Sequence, residues 1–180
     1  MDDLLTERLV LHPLTPAEAE RVAAGKPAEG DRWAPGYPSA VDVEGATAFV
    51  HACRTTGDPQ PFGDYEVRRR ADGVAIGGTG FNRLPDAEGT VTIGYGLIAS
   101  ERGKGYAAEA LRGLLRFARE CGLSCVKGDA DLGNVASQRV MLAAGMRYVG
   151  EDERVRYYEI AFPEDGPDED GAEGGPEGGE

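Results

Sequence analysis

The sequence predicts a mixed α/β domain built on one mostly antiparallel sheet with flanking helices. Three observations carry that prediction. Residues 65–98 hold three strand-like runs in succession, separated by the turn signals Ala71-Asp72-Gly73 and Pro85-Asp86-Ala87-Glu88-Gly89, which reads as an antiparallel meander. The period then changes: Ala107, Ala110, Leu111, Leu114, Leu115, Ala118 and Cys121 follow helical spacing, with Arg112, Arg116 and Arg119 on the other face. A further strand, helix and hairpin close the chain, so strands and helices share one core.

Taken in order, Arg8-Leu9-Val10-Leu11 is a short first strand. Thr15 caps a helix with Pro16 at its first position, running to about Ala24. Residues 25–41 are rich in Gly and Pro and form a long loop carrying Trp33 and Tyr37. Loops of that length in compact domains are commonly functional. A second helix covers Val43 to Thr55. The meander follows as Tyr65–Arg70, Val74–Asn82 and Thr90–Ile98, with Gly77-Gly78 and Gly80 suggesting a bulge or a close backbone approach in its middle strand. The helix after it ends near Gly122, and Leu123 to Ala130 is a strand. Asn134 caps a helix to Ala144, stopped by Gly145. Arg147–Val149 and Val155–Ala161 form the closing hairpin.

The 180 residues suit one domain over 1–162, followed by an acidic Gly/Pro-rich tail over 163–180. The tail has too little apolar content to offset ordering entropy and is expected to be disordered. It holds eight of the acids behind the net charge of −13 and no base, which leaves −5 for the domain. Nucleic-acid binding is disfavoured, since it needs a basic face. The run Arg68-Arg69-Arg70 reads as a solvated strand edge. No apolar run approaches a membrane span, and Met1-Asp2-Asp3 does not begin a signal sequence, so a cytoplasmic protein with no membrane partner is expected. Cys53, Cys121 and Cys125 are too few for a disulfide framework and lack the companions of a zinc set. They read as small buried hydrophobes, and no metal site is expected.

The segment that carries chemistry runs from Ile93 to Ala110. A strand leads into a loop, Arg102-Gly103-Lys104-Gly105-Tyr106-Ala107, which opens the long helix. Free amides and the helix dipole there suit a phosphate or pyrophosphate. Gly103 and Gly105 let the phosphates approach, and Arg102 and Lys104 add charge at the rim. A P-loop motif is absent. Gly103-x-Gly105 with Ala108 imitates a dinucleotide fingerprint, but that motif follows the first strand of a parallel series and this loop follows a meander.

These residues resemble the GNAT acetyltransferases, in the branch that looks like the ribosomal-protein and N-terminal alanine acetyltransferases. Four pieces carry the resemblance across roughly residues 4 to 161: Thr6-Glu7-Arg8-Leu9-Val10-Leu11, Ile93-Gly94-Tyr95, the loop from Arg102 to Ala110, and Asn134-Val135-Ala136-Ser137-Gln138-Arg139 with Ala144-Gly145-Met146. The resemblance implies a sheet with a central splay and acetyl-CoA as co-substrate. Backbone groups of Leu97, Ile98 and Ala99 would pair with the pantetheine arm, the amides of Gly103 to Ala107 would hold the pyrophosphate, and Asn134 would contact the cofactor. Ser137 would stand near the thiol and help protonate the leaving thiolate. An acetyl-CoA-dependent N-acetyltransferase is implied, with an amine acceptor that is either a small molecule or a protein N-terminus, and a monomer or homodimer as the assembly.

Two positions depart from the family pattern. The acid that often precedes Ile-Gly-Tyr is replaced by Thr92, and the Gln or Arg three residues before the first loop glycine by Ser100. That leaves a base from elsewhere, a substrate amine already in its free-base form, or no catalysis; Asp129, Asp131 and Glu66 are the carboxylates considered for the base, Asp129 first, each otherwise reading as a surface or turn residue. Trp33 and Tyr37 are expected to wall the acceptor pocket. The alternative reading is an acyl-CoA-binding sensor or scaffold without turnover. A nucleotide-binding oxidoreductase would require a parallel sheet.

Overall fold

The structure is a computed structural model in which residues 1–163 are described. The expected disordered tail lies outside the described residues, apart from Pro163. The elements are β1 (Leu4–Leu5), β2 (Leu9–Pro13), α1 (Pro16–Ala24), α2 (Ala40–Thr55), β3 (Asp64–Arg69), β4 (Ala75–Phe81), β5 (Thr90–Leu97), a 3₁₀ turn (Ala99–Glu101), α3 (Tyr106–Glu120), β6 (Cys125–Asp131), α4 (Val135–Ala143), β7 (Arg147–Glu151) and β8 (Val155–Ala161). The strands form one eight-stranded sheet in the order β1-β2-β3-β4-β5-β6-β8-β7. Every neighbouring pair is antiparallel except β5 and β6, which run parallel. This is the mixed, mostly antiparallel sheet that the sequence predicts.

The parallel pair decides what the fold can do. Its register holds only at Thr90↔Cys125, Val91↔Val126 and Thr92↔Lys127. Beyond Thr92 the strand β5 continues to Leu97 on β4 alone, and β6 continues to Asp131 on β8 alone. The sheet therefore splays open in its middle.

Helices cover both faces. α1 packs on α2, which reaches β3 and β5, while α3 crosses β1, β2, β4 and β5 and touches α4 over β6 and β7. The core they enclose includes Leu9, Leu11, Val67, Ile76, Leu111, Leu114 and Val126, all within 1% of full burial. The close approach of α3 to the sheet requires Gly113, where a Cβ would lie 2.8 Å from Thr6 Cγ2.

Helix starts follow local chemistry. Thr15 and Glu18 form a reciprocal capping box, with Pro16 at the first position. Thr15→Ala removes that cap and is expected to cost about 1 kcal/mol, read as a lower urea midpoint at unchanged m-value. A second box, Ser39 with Asp42, starts α2 at Ala40, three residues before the expected Val43. Strand β1, too short to leave a periodic signal, was not anticipated by the sequence. It pairs with β2 at Leu4↔Leu11 and Leu5↔Val10.

Three expectations are corrected. The run Arg68-Arg69-Arg70 is not a solvated edge, because β3 is an interior strand between β2 and β4. Arg68 pairs with Glu66, Arg69 with Asp72 and Glu101, and Arg70 donates to the Thr6 carbonyl. The cysteines are not buried hydrophobes: Cys53 and Cys125 are half-buried and Cys121 is exposed just past the end of α3. Glu66, considered as a surface or turn carboxylate, is 4% exposed.

Candidate active site

The site is built on β5 at the splay. Backbone direction follows from the ladder. The Ile98 amide donates to Ile76 and the Asn82 amide to Thr92, so Gly94 and Gly96 spend their backbone groups on β4. The alternate residues Tyr95 and Leu97 aim theirs the other way, where β6 has already departed. The Leu97 carbonyl accepts from Arg102 Nε at 3.0 Å, which ties the loop to the strand end.

Side chains on β5 alternate between the two faces. Ile93 and Tyr95 belong to the α4 face. Ile93 Cδ1 and Met141 Sδ both lie 3.1 Å from where a Cβ on Gly128 would stand. The Tyr95 hydroxyl crosses the open groove to the first turn of α4, 2.9 Å from the Ser137 carbonyl and 2.8 Å from Ser137 Oγ. The carbonyl can only accept, so with the phenol's proton placed there the Ser137 hydroxyl donates to the phenolic oxygen. Burial pushes the Tyr95 phenol up and keeps it protonated. Asn134 caps α4, its Oδ1 accepting from the Ser137 amide at 3.1 Å.

On the other face, Gly94 and Gly96 look toward α2. A Cβ on Gly96 would meet Val41 Cγ1 at 3.3 Å. A cavity of about 710 Å³ lies there, lined among others by Tyr37, Asp42, Phe49, Asp64, Phe81 and Gly94.

The loop after β5 is an anion cradle by construction. Gly103 and Gly105 take φ of 75° and 81°, the left-handed region that disfavours side chains. Gly105 caps α3 without any side-chain bond, which leaves the first-turn amides facing outward. Arg8 braces the cradle. Its Nη1 donates to the Lys104 carbonyl at 3.0 Å, and its guanidinium stacks 4.6 Å from the Tyr106 ring centroid. Glu109 in turn accepts from Thr6 Oγ1, the Arg8 amide and Arg8 Nε at 2.6, 2.7 and 2.7 Å. Lys104 is not a free rim charge, because its ammonium is 3.0 Å from the buried Glu101.

The structure thus gathers Leu97, Ile98, Ala99, Arg102, Gly103, Lys104, Gly105, Tyr106 and Ala107 along one end of the groove, with Asn134 and Ser137 on its far side. Tyr37 is buried and lines the cavity. Trp33 is half-buried, packs edge-on against Tyr37 at 5.3 Å and is outside the cavity lining. Asp129 is exposed on β6, opposite Tyr157 of β8, also outside that lining.

Sequence reasoning missed Asp42 and Asp64. Asp42 is 8% exposed, and its Oδ1 is buried without a hydrogen-bond partner among the described residues. Its one local signal, the Ser39-x-x-Asp42 spacing, reports only a helix cap. Asp64 is a strand's first residue and gains meaning only from the register Asp64↔Gly80.

Comparison with known proteins gives the family. The profile of the acetyltransferase (GNAT) domain matches residues 8–147. The chain belongs to the GNAT acetyltransferases. Among curated proteins it is similar to the uncharacterized N-acetyltransferase YjdG of Bacillus subtilis, at 31% identity over 111 residues. That match spans 61% of this chain and 66% of the relative, just under two thirds of its length. The GNAT fold is shared with the ribosomal-protein-S5-alanine acetyltransferase of Vibrio fischeri, at TM-score 0.64 and 15% identity, covering 89% of this chain and 97% of that one. It is shared equally with RimL, a ribosomal-protein α-N-acetyltransferase solved with coenzyme A, at TM-score 0.64 and 14% identity over 89% and 98%. Among the described residues no helix of this GNAT protein is long and apolar enough to cross a membrane.

Proposed function

We propose that this GNAT protein transfers an acetyl group from acetyl-CoA, held in the splay, to an amine approaching from the α2 face. The observation that carries the reading is the end of β5–β6 pairing at Thr92, in a groove that runs directly onto the first turn of α3. An extended pantetheine arm carries amides that complement the outward backbone groups of Tyr95 and Leu97. The pyrophosphate suits the amides from Gly103 to Ala107. RimL, solved with coenzyme A, supports the same ligand here.

The test is a melting curve with CoA, acetyl-CoA, NAD and ATP in turn. At 100-fold excess over Kd, binding to the folded state stabilises by about 2.7 kcal/mol. For a chain of this size that is about 5–11 °C. A rise with CoA and acetyl-CoA alone is expected. A rise with NAD or ATP and none with CoA overturns the reading.

When bound, acetyl-CoA supplies an activated acyl carbon, and the chain's residues do the rest. Backbone N–H groups near Leu97 suit the oxyanion that forms at that carbon. From the α4 face, the Ser137 hydroxyl, rotated away from the Tyr95 oxygen, brings a proton to the leaving sulfur. A thiol ionises near pH 8.5, so its anion leaves with little help. Ser137→Ala is therefore expected to lower kcat only about three- to tenfold, below the usual range for general acids, with CoA affinity unchanged.

A scaffold that binds acyl-CoA without turnover is the reading favoured by Thr92, which cannot act as a base. CoA binding without acetyl transfer to any of a panel of amines would select it.

A further inference from the structure

The unanswered element is the base. A primary amine reaches an enzyme as an ammonium ion and must lose a proton before it can attack. Thr92 offers nothing, and Asp129 lies outside the cavity lining. The cavity beneath α2 holds two carboxylates the mechanism has not yet used. Asp42 comes from the first turn of α2 and Asp64 from the start of β3.

One Asp42 oxygen and the whole Asp64 carboxylate are left without a structural role. Asp42 Oδ2 accepts from the Ser39 amide and hydroxyl at 2.7 and 2.6 Å, completing the helix cap, while Oδ1 is buried and unpartnered. The Asp64 carboxylate accepts no hydrogen bond among the described residues and enters no ion pair there. A buried carboxylate oxygen without a partner, as Asp42 Oδ1 is, costs stability and needs a reason, and the half-buried Asp64 leaves its whole carboxylate free at the cavity. Both lean on a glycine floor. A Cβ on Gly78 would stand 2.9 Å from Asp42 Oδ1, and one on Gly80 would stand 2.7 Å from Asp64 Oδ1. On the next strand, Gly94 and Gly96 continue that floor to the splay.

We propose that this cavity is an acceptor site for a primary ammonium ion carried on an apolar body, with Asp42 and Asp64 as its counter-charges and Asp64 as the base that takes its proton. The proposal rests on acetyl transfer at the splay. Phe49 and Phe81 supply apolar walls. The other ionisable groups at the cavity are Tyr37, Tyr65, Glu44 and Arg83, with Tyr95 lining it from β5 while its hydroxyl is turned to Ser137, and with Glu66 and its partner Arg68 on the same face of β3 as Asp64, where the Glu66 charge acts on Asp42 and Tyr37. Arg83 is exposed at the rim and makes no ion pair with either carboxylate among the described residues. The acid side of this balance favours a cation inside.

Asp64 takes one proton from the ammonium, and the freed lone pair forms the C–N bond to the acyl carbon. The C–S bond then breaks with its electron pair on sulfur. The second nitrogen proton balances the thiolate through Ser137 or water, and Asp64 releases its own proton to solvent. Ser137 and the carboxylates stand on opposite faces of the sheet, so the two proton transfers do not compete. Burial, then the charge of Asp42, pushes the Asp64 carboxyl up to about 6. It is thus ionised at neutral pH and more basic than an ordinary aspartate.

The experiment uses the full chain, 2-phenylethylamine as probe and 2-phenylethanol as its neutral counterpart. Without CoA, the amine raises the melting temperature and the alcohol does not, and both Asp42→Asn and Asp64→Asn abolish the rise. With acetyl-CoA, Asp64→Asn lowers turnover of the amine on the order of 10²-fold or more, leaves CoA binding unchanged, and removes a rise in kcat/KM through pH about 6. Because the Asp64 carboxylate accepts no bond, Asp64→Asn melts no lower than the parent at pH 7. Equal binding of amine and alcohol, or an Asp64→Asn enzyme within threefold of the parent, overturns the proposal. Failure to bind CoA would instead overturn the reading of the splay and leave the amine-binding arm to decide this one.

Discussion

Gly77→Ala is expected to destabilise the protein by about 3 kcal/mol, at the upper end for overpacking a well-filled interior. Gly77 sits on β4 opposite Leu97, the last residue of β5. A Cβ there would overlap the Gly96 carbonyl oxygen and stand 2.8 Å from Leu97 Cδ2 and 2.9 Å from Leu97 Cα. Two of those atoms are backbone, held in the β4–β5 ladder, so relief requires the strands to part. For a chain of this length the melting temperature should fall by about 6–12 °C. The strand displaced is also the one that borders the splay, so CoA affinity should fall with it. Gly73→Ala is the control. Unlike Gly77 it has a positive φ, of 69°, but nothing lies within 4 Å of its Cβ, and it should cost only the backbone term of about 1 kcal/mol. If the two variants melt together, the close approach at Gly77 does not constrain the sheet.

The contrast between Gly77 and Gly103 shows what the sequence makes legible. Both occur in glycine-rich stretches. The loop glycines were readable because a strand, two glycines and a strongly periodic helix stand in uninterrupted order, and the helix start supplies the chemistry. Gly77, Gly78 and Gly80 signalled only a bulge or a close approach. What they approach comes from elsewhere: Leu97 from β5, Asp42 from α2 and Asp64 from β3. The same limit hid the two aspartates. A carboxylate in a strand or a helix cap looks solvated until the sheet register sets it over a glycine rather than over water. It misled on Lys104 as well, whose partner Glu101 is three residues away in sequence but is buried through Arg69 of β3. Helix α3, by contrast, was legible nearly to the residue, because its apolar stripe is a local property.

Glu109→Ala is expected to have an effect of similar size by another route. Glu109 is 8% exposed and accepts three hydrogen bonds that close the first turn of α3 onto β2. Removing it strands the Arg8 amide and frees its guanidinium. Breaking a fully buried pair costs about 3–5 kcal/mol, but the Arg8 side chain is 44% exposed and water compensates in part, which brings the expectation to about 2 kcal/mol. Burial alone would raise the Glu109 carboxyl, yet the bonds from Thr6 and from the amide and guanidinium of Arg8 outweigh it and hold it below the ordinary range. A depressed carboxyl contributes its stability above the unfolded-state pKa and loses it as pH falls through the folded one. The parent and Glu109→Ala should therefore differ fully at pH 7 and converge in the acid range. Chemical denaturation at pH 7 and at pH 3.5 measures both gaps. The function follows the same bonds, since Arg8 reaches the Lys104 carbonyl and the Gly105 turn only while Glu109 orients it. Loosening that turn spreads the amides that face the pyrophosphate, and CoA affinity is expected to drop about tenfold, equivalent to about 1.4 kcal/mol. A variant destabilised as predicted but binding CoA at parental affinity would show that the cradle holds its shape through its glycines alone.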